Sequence, residues 1–291
     1  MTTMETHTLA LPGVDLVYDV RSPLSASDDH RTLLMIGQPM TAEGFNALAT
    51  HFTDRTVVTY DPRGLGRSVR SDGRSDHTPQ QQAADLHLLI EALGAAPVDV
   101  FASSGGAVTA LELVASHPGD VATLVAHEPP ITGVLPDAAA AERAQAVVHE
   151  AYQAKGMGAG MAAFMALVSW QGEFTDAYFA QPAPDPAAFG LPTEDDGSRD
   201  DPLLSKASGT VTDYRPDAAA LTAAPTRIVI AVGEETAGTY TARTAVATAA
   251  LLGQEAVVFP SHHGGFLDGE FGYAGKPAEF AARLREVLDA G

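Results

Sequence analysis

The sequence predicts an α/β fold built on a mostly parallel, doubly wound sheet, and three observations carry that expectation. Short apolar runs alternate with helical stretches over residues 1–130. The runs are largely unbroken by polar residues, as in strands buried on both faces. The same rhythm resumes after residue 216, beyond a segment of different composition, so one sheet is interrupted by an insertion. The expected organisation is a core first part over 1–130, a mainly helical insertion over 131–215 and a core second part over 216–291.

Taken in order, Thr8–Leu11 and Leu16–Val20 flank Pro12-Gly13 and read as an antiparallel pair. Thr32–Ile36, Thr56–Tyr60, Val98–Phe101 and Leu124–Ala126 read as buried parallel strands. Pro79–Leu93 and Val108–Ser116 carry apolar residues at helical spacing. In the insertion, Ala138–Ala154 reads as a helix, and Gly160–Trp170 is apolar around most of its circumference. Residues 181–202 hold five prolines and six acidic residues and read as a loop. Arg227–Val232, Ala242–Leu252, Ala256–Phe259 and Pro277–Leu288 then continue as strand, helix, strand and helix. No internal repeat is evident.

Composition excludes several functions. Acidic residues outnumber basic ones 37 to 17 in a chain of 291, a formal net charge of −20. Spread evenly, that charge repels phosphate backbones and anionic lipid, so neither nucleic acid nor membrane is expected as a partner. With no cysteine, thiol catalysis, zinc–thiolate sites and iron–sulfur clusters are ruled out. The N-terminus shows no signal-peptide pattern and no window is long and apolar enough to span a bilayer, which points to the cytoplasm. Gly64-Leu-Gly66 lacks the third glycine of a dinucleotide fingerprint, which would fall at Val69. Gly275-Lys276 lacks the earlier glycine of a phosphate loop, at Glu270. His127-Glu128 runs into two prolines rather than a zinc-protease helix. The acidic run from Glu194 to Asp201 lacks calcium-ligand spacing. No metal and no cofactor are expected.

The sharpest local feature is Val98-Asp-Val-Phe-Ala-Ser103-Ser104-Gly105-Gly106, a strand that enters a helix through small residues. A nucleophile there must sit on a tight turn to expose its oxygen, with tiny side chains two residues before and after it. Ser104 has Ala102 and Gly106 at those positions. Ser103 would have Phe101, which is too bulky. Ser104 is therefore the expected nucleophile, against the plainer reading of a glycine-rich strand–helix turn.

Together with Asp61-Pro-Arg63-Gly64-Leu-Gly66-Arg-Ser68, this turn resembles the α/β-hydrolase superfamily, in which a D-x-R-G-x-G-x-S loop precedes the nucleophile. The order of elements agrees along nearly the whole chain, and the insertion resembles that family's helical cap domain. The resemblance implies an eight-stranded, mostly parallel sheet. It implies a histidine base in Phe259-Pro-Ser-His262-His263-Gly264-Gly265-Phe266. His263 is favoured because the two glycines let the backbone turn back toward Ser104, and His262 is the alternative. Most members carry the acid as G-x-x-D after the seventh strand of the family's sheet. Here that segment is Gly233-Glu234-Glu235-Thr236, with threonine in the acid's place. Glu128 is favoured as the acid because some haloalkane dehalogenases of this fold place a glutamate after the preceding strand. Glu235 is the alternative acid, with Glu234 beside it.

An oxyanion hole requires two backbone N–H donors. Gly105, after the nucleophile, supplies one. The family's usual His-Gly pair appears as Ile36-Gly37, so Gln38 supplies the other, since Pro39 has no N–H. Met157, Met161 and Met165 recur at a spacing of four, with Phe164 and Trp170 nearby. They read as packing of the insertion onto the core or as an apolar acyl pocket above Ser104. The expected activity is a serine-dependent hydrolysis of a small or medium apolar carboxylic ester, lactone or thioester. The same residues also serve C–C bond hydrolysis, cofactor-free perhydrolysis or a cyclisation, and a ligand binder without catalysis is a further reading. A serine at 104 weighs against the aspartyl-ester chemistry of dehalogenases and epoxide hydrolases.

Overall fold

The computed structural model describes residues 2–23, 30–205 and 209–290. In chain order it forms β1 (Thr2–Leu11), β2 (Val14–Pro23), β3 (Leu33–Gln38), α1 (Asn46–Ala49), β4 (Val57–Tyr60), β5 (Val69–Arg70), α2 (Pro79–Leu93), β6 (Val98–Ser104), α3 (Gly105–Ser116) and β7 (Val121–His127). There follow α4 (Ala138–Lys155), α5 (Met157–Ser169), α6 (Asp176–Phe179), α7 (Gly209–Thr212), α8 (Ala218–Ala223), β8 (Arg227–Gly233), α9 (Tyr240–Leu251), β9 (Val257–Phe259) and α10 (Pro277–Asp289). Of the segment expected as an insertion, residues 206–208 lie outside the described residues.

All the strands join one sheet in the order β1-β2-β4-β3-β6-β7-β8-β9, with β5 beside β2. β1, β2 and β5 pair antiparallel, and the rest run parallel. The sheet therefore has nine strands among the described residues rather than the expected eight. The extra one, β5, is a two-residue pairing of Val14 with Arg70 and Asp15 with Val69. Its cause is local. β4 covers β2 only over Tyr18–Arg21, leaving the backbone of Val14 and Asp15 free on that edge. Ser68 then pins the emerging chain alongside, its hydroxyl donating to Asp61 O at 2.6 Å and accepting from Val17 N at 2.9 Å.

Side chains on successive residues of a strand point to opposite faces, and the two halves of the core follow that alternation. Leu34, Ile36, Val100, Ala102, Leu124, Ala126 and Ile230 pack with Leu86, Ile90, Val108, Leu111 and Ala245, which belong to α2, α3 and α9. Leu33, Met35, Phe101, Val125, Val229, Ala231 and Phe259 pack on the other face with Leu48 of α1 and Phe280 and Leu284 of α10. This explains why β3 and β4 are buried at every position and read as largely apolar runs.

The helix ends follow their sequences. Thr78 caps α2 by accepting from Gln81 N, Pro79 occupies the first turn, and Gly94 ends the helix at φ 61°. Between β7 and β8, α4 and α5 pack together around Tyr152, Ala163 and Leu167. That cluster meets the sheet-side layer at Tyr240 of α9.

Candidate active site

The parallel strands end together, and the predicted residues lie at those ends, the usual binding edge of an open α/β sheet. β6 gives way to α3 at Ser104, which adopts φ 57°, ψ −127°, an unusual conformation for a residue with a Cβ. The small residues around it are required by contact. A Cβ on Gly106 would stand 2.7 Å from Gly37 Cα and 2.8 Å from Ile36 O, both backbone of β3. A Cβ on Gly105 would stand 2.8 Å from Gln38 O. The helix can start this close to β3 only with glycine at both positions.

Gln38 lies in register with Ser104 across the β3–β6 ladder. Gly105 opens α3, so its N–H is among the first-turn donors without an intrahelical acceptor. The two backbones expected to bind an oxyanion are thus adjacent. The Gln38 side chain turns inward, its Oε1 accepting from the Thr109 hydroxyl at 3.3 Å.

Glu128 follows β7 with φ 49° and is fully buried. Its backbone N–H donates to Ala231 O of β8 at 3.0 Å. Its carboxylate accepts four hydrogen bonds. Oε1 takes the Gly233 N–H at 3.0 Å and the Thr236 hydroxyl, and Oε2 takes the Thr241 hydroxyl at 2.7 Å and His263 Nδ1 at 2.6 Å. Burial alone would raise its pKa. The bonds from His263 and Thr236, with the nearby imidazoles, overcome that and hold the carboxyl well below its ordinary range. Thr236, at the position where the family motif has its aspartate, therefore serves as a donor to the carboxylate.

The alternatives lie elsewhere. Glu235 is half-exposed and bonds Lys276 Nζ at 2.9 Å. Glu234 bonds the same ammonium at 3.1 Å and accepts from Ser261 N at 3.0 Å. His262 is tied into its own loop, with Nδ1 accepting from Gly264 N at 3.1 Å and Nε2 3.2 Å from Ala274 O. His263, 39% exposed, has Nδ1 committed to Glu128, which leaves Nε2 for other chemistry.

One neighbour was not singled out by sequence. His127 is fully buried, packed edge-on or tilted against Phe101, Phe259, Phe266 and Phe280 at centroid distances of 5.4–6.3 Å. It lies nearly parallel to the His263 ring at 5.9 Å. Its Nδ1 is 3.4 Å from Ser103 Oγ, and its Nε2 has no partner among the described residues. Burial pushes its pKa down to about 4, against the smaller pull of Glu128, so the ring is neutral near pH 7. The signal in sequence was slight: a polar residue ending an apolar strand.

Ser104, Glu128 and Ser261 are three of the four described non-glycine residues with positive φ. Backbone strain thus gathers around this edge of the sheet. The methionines are less unified. Met161 and Trp170 pack within the cluster of α4 and α5, Met157 is exposed, and Met165 is half-buried. Trp170 meets Tyr178 edge-on at 5.2 Å and donates its indole N–H to Glu173 O at 3.0 Å. No helix among the described residues is long and apolar enough to cross a membrane.

Comparison with known proteins agrees with this architecture. A family model described as the alpha/beta hydrolase fold matches residues 38–154. An uncharacterised hydrolase, YraK, of Bacillus subtilis is 34% identical over 136 residues, 46% of this chain and 48% of the relative. The chain thus spans about half the length of that relative. Proline iminopeptidase of Mycobacterium smegmatis shares the fold with a TM-score of 0.64 at 20% identity, over 98% of both chains. A thermophilic esterase of Thermogutta terrifontis does so with a TM-score of 0.61 at 19% identity, over 100% of this chain and 98% of the other. At such identities the likeness is one of fold. The sheet order, the strand-to-helix turn at Ser104 and these matches together show that the chain has the α/β-hydrolase fold.

Proposed function

We propose that the chain is a serine-dependent hydrolase of small or medium apolar carboxylic esters, lactones or thioesters, working through an acyl-enzyme on Ser104. The observation that carries this reading is the 2.6 Å bond between His263 Nδ1 and the buried, four-bonded Glu128 carboxylate. That bond fixes one imidazole tautomer, with Nε2 unprotonated and able to take a proton. His263 Nε2 receives the Ser104 proton as Oγ attacks the carbonyl carbon. Glu128 stabilises the imidazolium across Nδ1–H. The Gly105 and Gln38 N–H groups hold the negative oxygen. Collapse breaks the bond to the leaving group, which takes the proton from His263. Water, deprotonated by the same nitrogen, then releases the acid and restores Ser104.

The neutral His127 beneath His263 keeps a second positive charge away from the imidazolium. The naming of the Bacillus subtilis relative as a hydrolase supports hydrolysis without specifying a substrate. The helices between β7 and β8 are read as a cap, with the half-buried Met165 a candidate wall of the acyl pocket.

The test is a panel of p-nitrophenyl acyl esters, lactones and thioesters, run beside a fluorophosphonate label located by mass spectrometry. The wild type should turn over at least one ester series and carry the label on Ser104. Ser104→Ala should lose both while keeping its far-ultraviolet circular dichroism. Unchanged turnover in Ser104→Ala, or label on another residue, would overturn the assignment.

A further inference from the structure

At the opposite end of the sheet, His87, His117 and Asp120 form a second cluster. Their potential ligand atoms lie within 4.8 Å of one another. His87 comes from α2, His117 caps the C-terminus of α3, and Asp120 immediately precedes β7. The turn His117-Pro118-Gly119-Asp120 is closed by a bond from Asp120 N to His117 O at 3.1 Å, which sets both side chains on one side. Asp120 O in turn accepts from Val98 N at 2.9 Å, fixing the turn to the start of β6. The His87 and His117 rings lie face to face, 3.8 Å apart at 11°. His87 Nδ1 stands 2.7 Å from Asp120 Oδ2, and its Nε2 faces the Glu91 carboxylate at 3.8 Å. The histidine side chain is 26% exposed and the aspartate 12%, so the cluster is partly sheltered but reachable from solvent.

We propose that these three residues bind a borderline divalent transition metal, with Zn²⁺ as the reference ion. Two imidazoles and one carboxylate are a donor set suited to zinc, nickel or cobalt, and calcium and magnesium prefer oxygen alone. Ligands of a tetrahedral zinc at about 2.0–2.1 Å sit roughly 3.4 Å apart, so the ion binds when the His117 ring turns out of its stack on His87 and brings its in-plane lone pair toward the other two ligand atoms. The ion takes the place of the proton between His87 Nδ1 and Asp120. That proton moves to Nε2, toward Glu91, whose carboxylate stands where an outer acceptor orients a metal-bound imidazole. Water completes the coordination. The metal would tie α2 to the α3–β7 turn, at the strand ends remote from Ser104. Its role is then structural, and it is independent of the proposed hydrolysis.

The experiment is calorimetric titration of Zn²⁺ into the full chain at neutral pH. His117→Asn, Asp120→Asn and His263→Asn are run in parallel, with circular dichroism to verify folding. The expected result is one equivalent bound at micromolar Kd or tighter. Binding should weaken roughly tenfold or more in His117→Asn and Asp120→Asn and stay unchanged in His263→Asn. Saturating zinc should also raise the Tm of the wild type by several degrees and leave Asp120→Asn unmoved. The proposal is overturned by absence of saturable binding below about 100 μM, a ceiling well above that expected for a two-imidazole site. It is equally overturned if binding is lost in His263→Asn and retained in the other two.

Discussion

Glu128 gathers its four partners from the end of β8, from the loop that follows it, from the first turn of α9 and from the loop after β9. Removing its charge should therefore do more than weaken one contact. Glu128→Gln puts an amide where the His263 N–H needs an acceptor, and kcat should fall by about two to four orders of magnitude. Glu235→Gln, which removes one of the two carboxylates on Lys276, should stay within a few-fold of wild type. The opposite ranking in ester turnover would move the acid to the loop after β8. Thr236→Val removes one of the four donors while leaving the shape, and an activity loss of about tenfold is expected from a single hydrogen bond to a charged group. Acid sensitivity belongs to the same few residues. The folded-state pKa of His127, about 4, lies below its ordinary 6.5, so the unfolded chain binds more protons between those values. The stability due to a neutral buried ring is full above about pH 6.5 and falls as pH drops toward 4, by on the order of 3 kcal/mol. Glu128, also depressed, acts in the same direction at still lower pH. His127→Phe should flatten the unfolding midpoint between pH 6.5 and 4.5, measured by urea titration. An unchanged slope would assign the acid lability elsewhere. The placement of Ser104, Glu128 and His263 at one end of the sheet was legible because each lies at or shortly after a strand end marked by small residues, prolines or glycines. Thr236 and Thr241 were not, because a threonine hydroxyl gains its meaning from a carboxylate over a hundred residues away in sequence.

Among elements, the loop after β4 shows how a motif can organise the site without entering it. Asp61 accepts from Ala42 N at 3.0 Å and Arg67 N at 2.8 Å, tying the loop to the segment that follows β3. Arg63, almost fully buried, grips Asp85 of α2 through Nε at 2.7 Å and Nη2 at 2.5 Å, and donates to Pro12 O at 3.0 Å. A buried ion pair resists loss of one partner far more than loss of both. Arg63→Met should destabilise by about 3–5 kcal/mol, and Arg63→Met with Asp85→Leu should recover much of that. Equal losses in the single and double variants, read from denaturant midpoints, would contradict the pairing. Sequence showed the loop but not its anchor, since Asp85 reads as an ordinary polar position on an amphipathic helix. The parallel strands were legible from their apolar runs. The first half of β1, largely polar and exposed, was not, and β5 owes its pairing to an open edge rather than to its own residues.

At the scale of the molecule, the two apolar layers divide by strand parity, a rule that sequence alone foreshadows once the strands are placed. Which helices cover which face emerges only from the crossovers. The neighbourhood of β7 and β8 has a further consequence. These strands pair directly from Thr123↔Arg227 to His127↔Ala231 although residues 128–226 lie between them. The described residues between them make no strand of the sheet, and the stretch Gln181–Ala183 is exposed. The sheet is therefore expected to survive a break in the chain there. Two separately encoded pieces, 1–182 and 183–291, should find each other on co-expression, co-purify as a one-to-one heterodimer and regain the ester turnover of the intact chain. If the pieces remain apart or aggregate, the sheet cannot template its own reassembly across that seam. If they unite, the chain offers a ready split reporter and a natural point for joining the old termini and opening new ones.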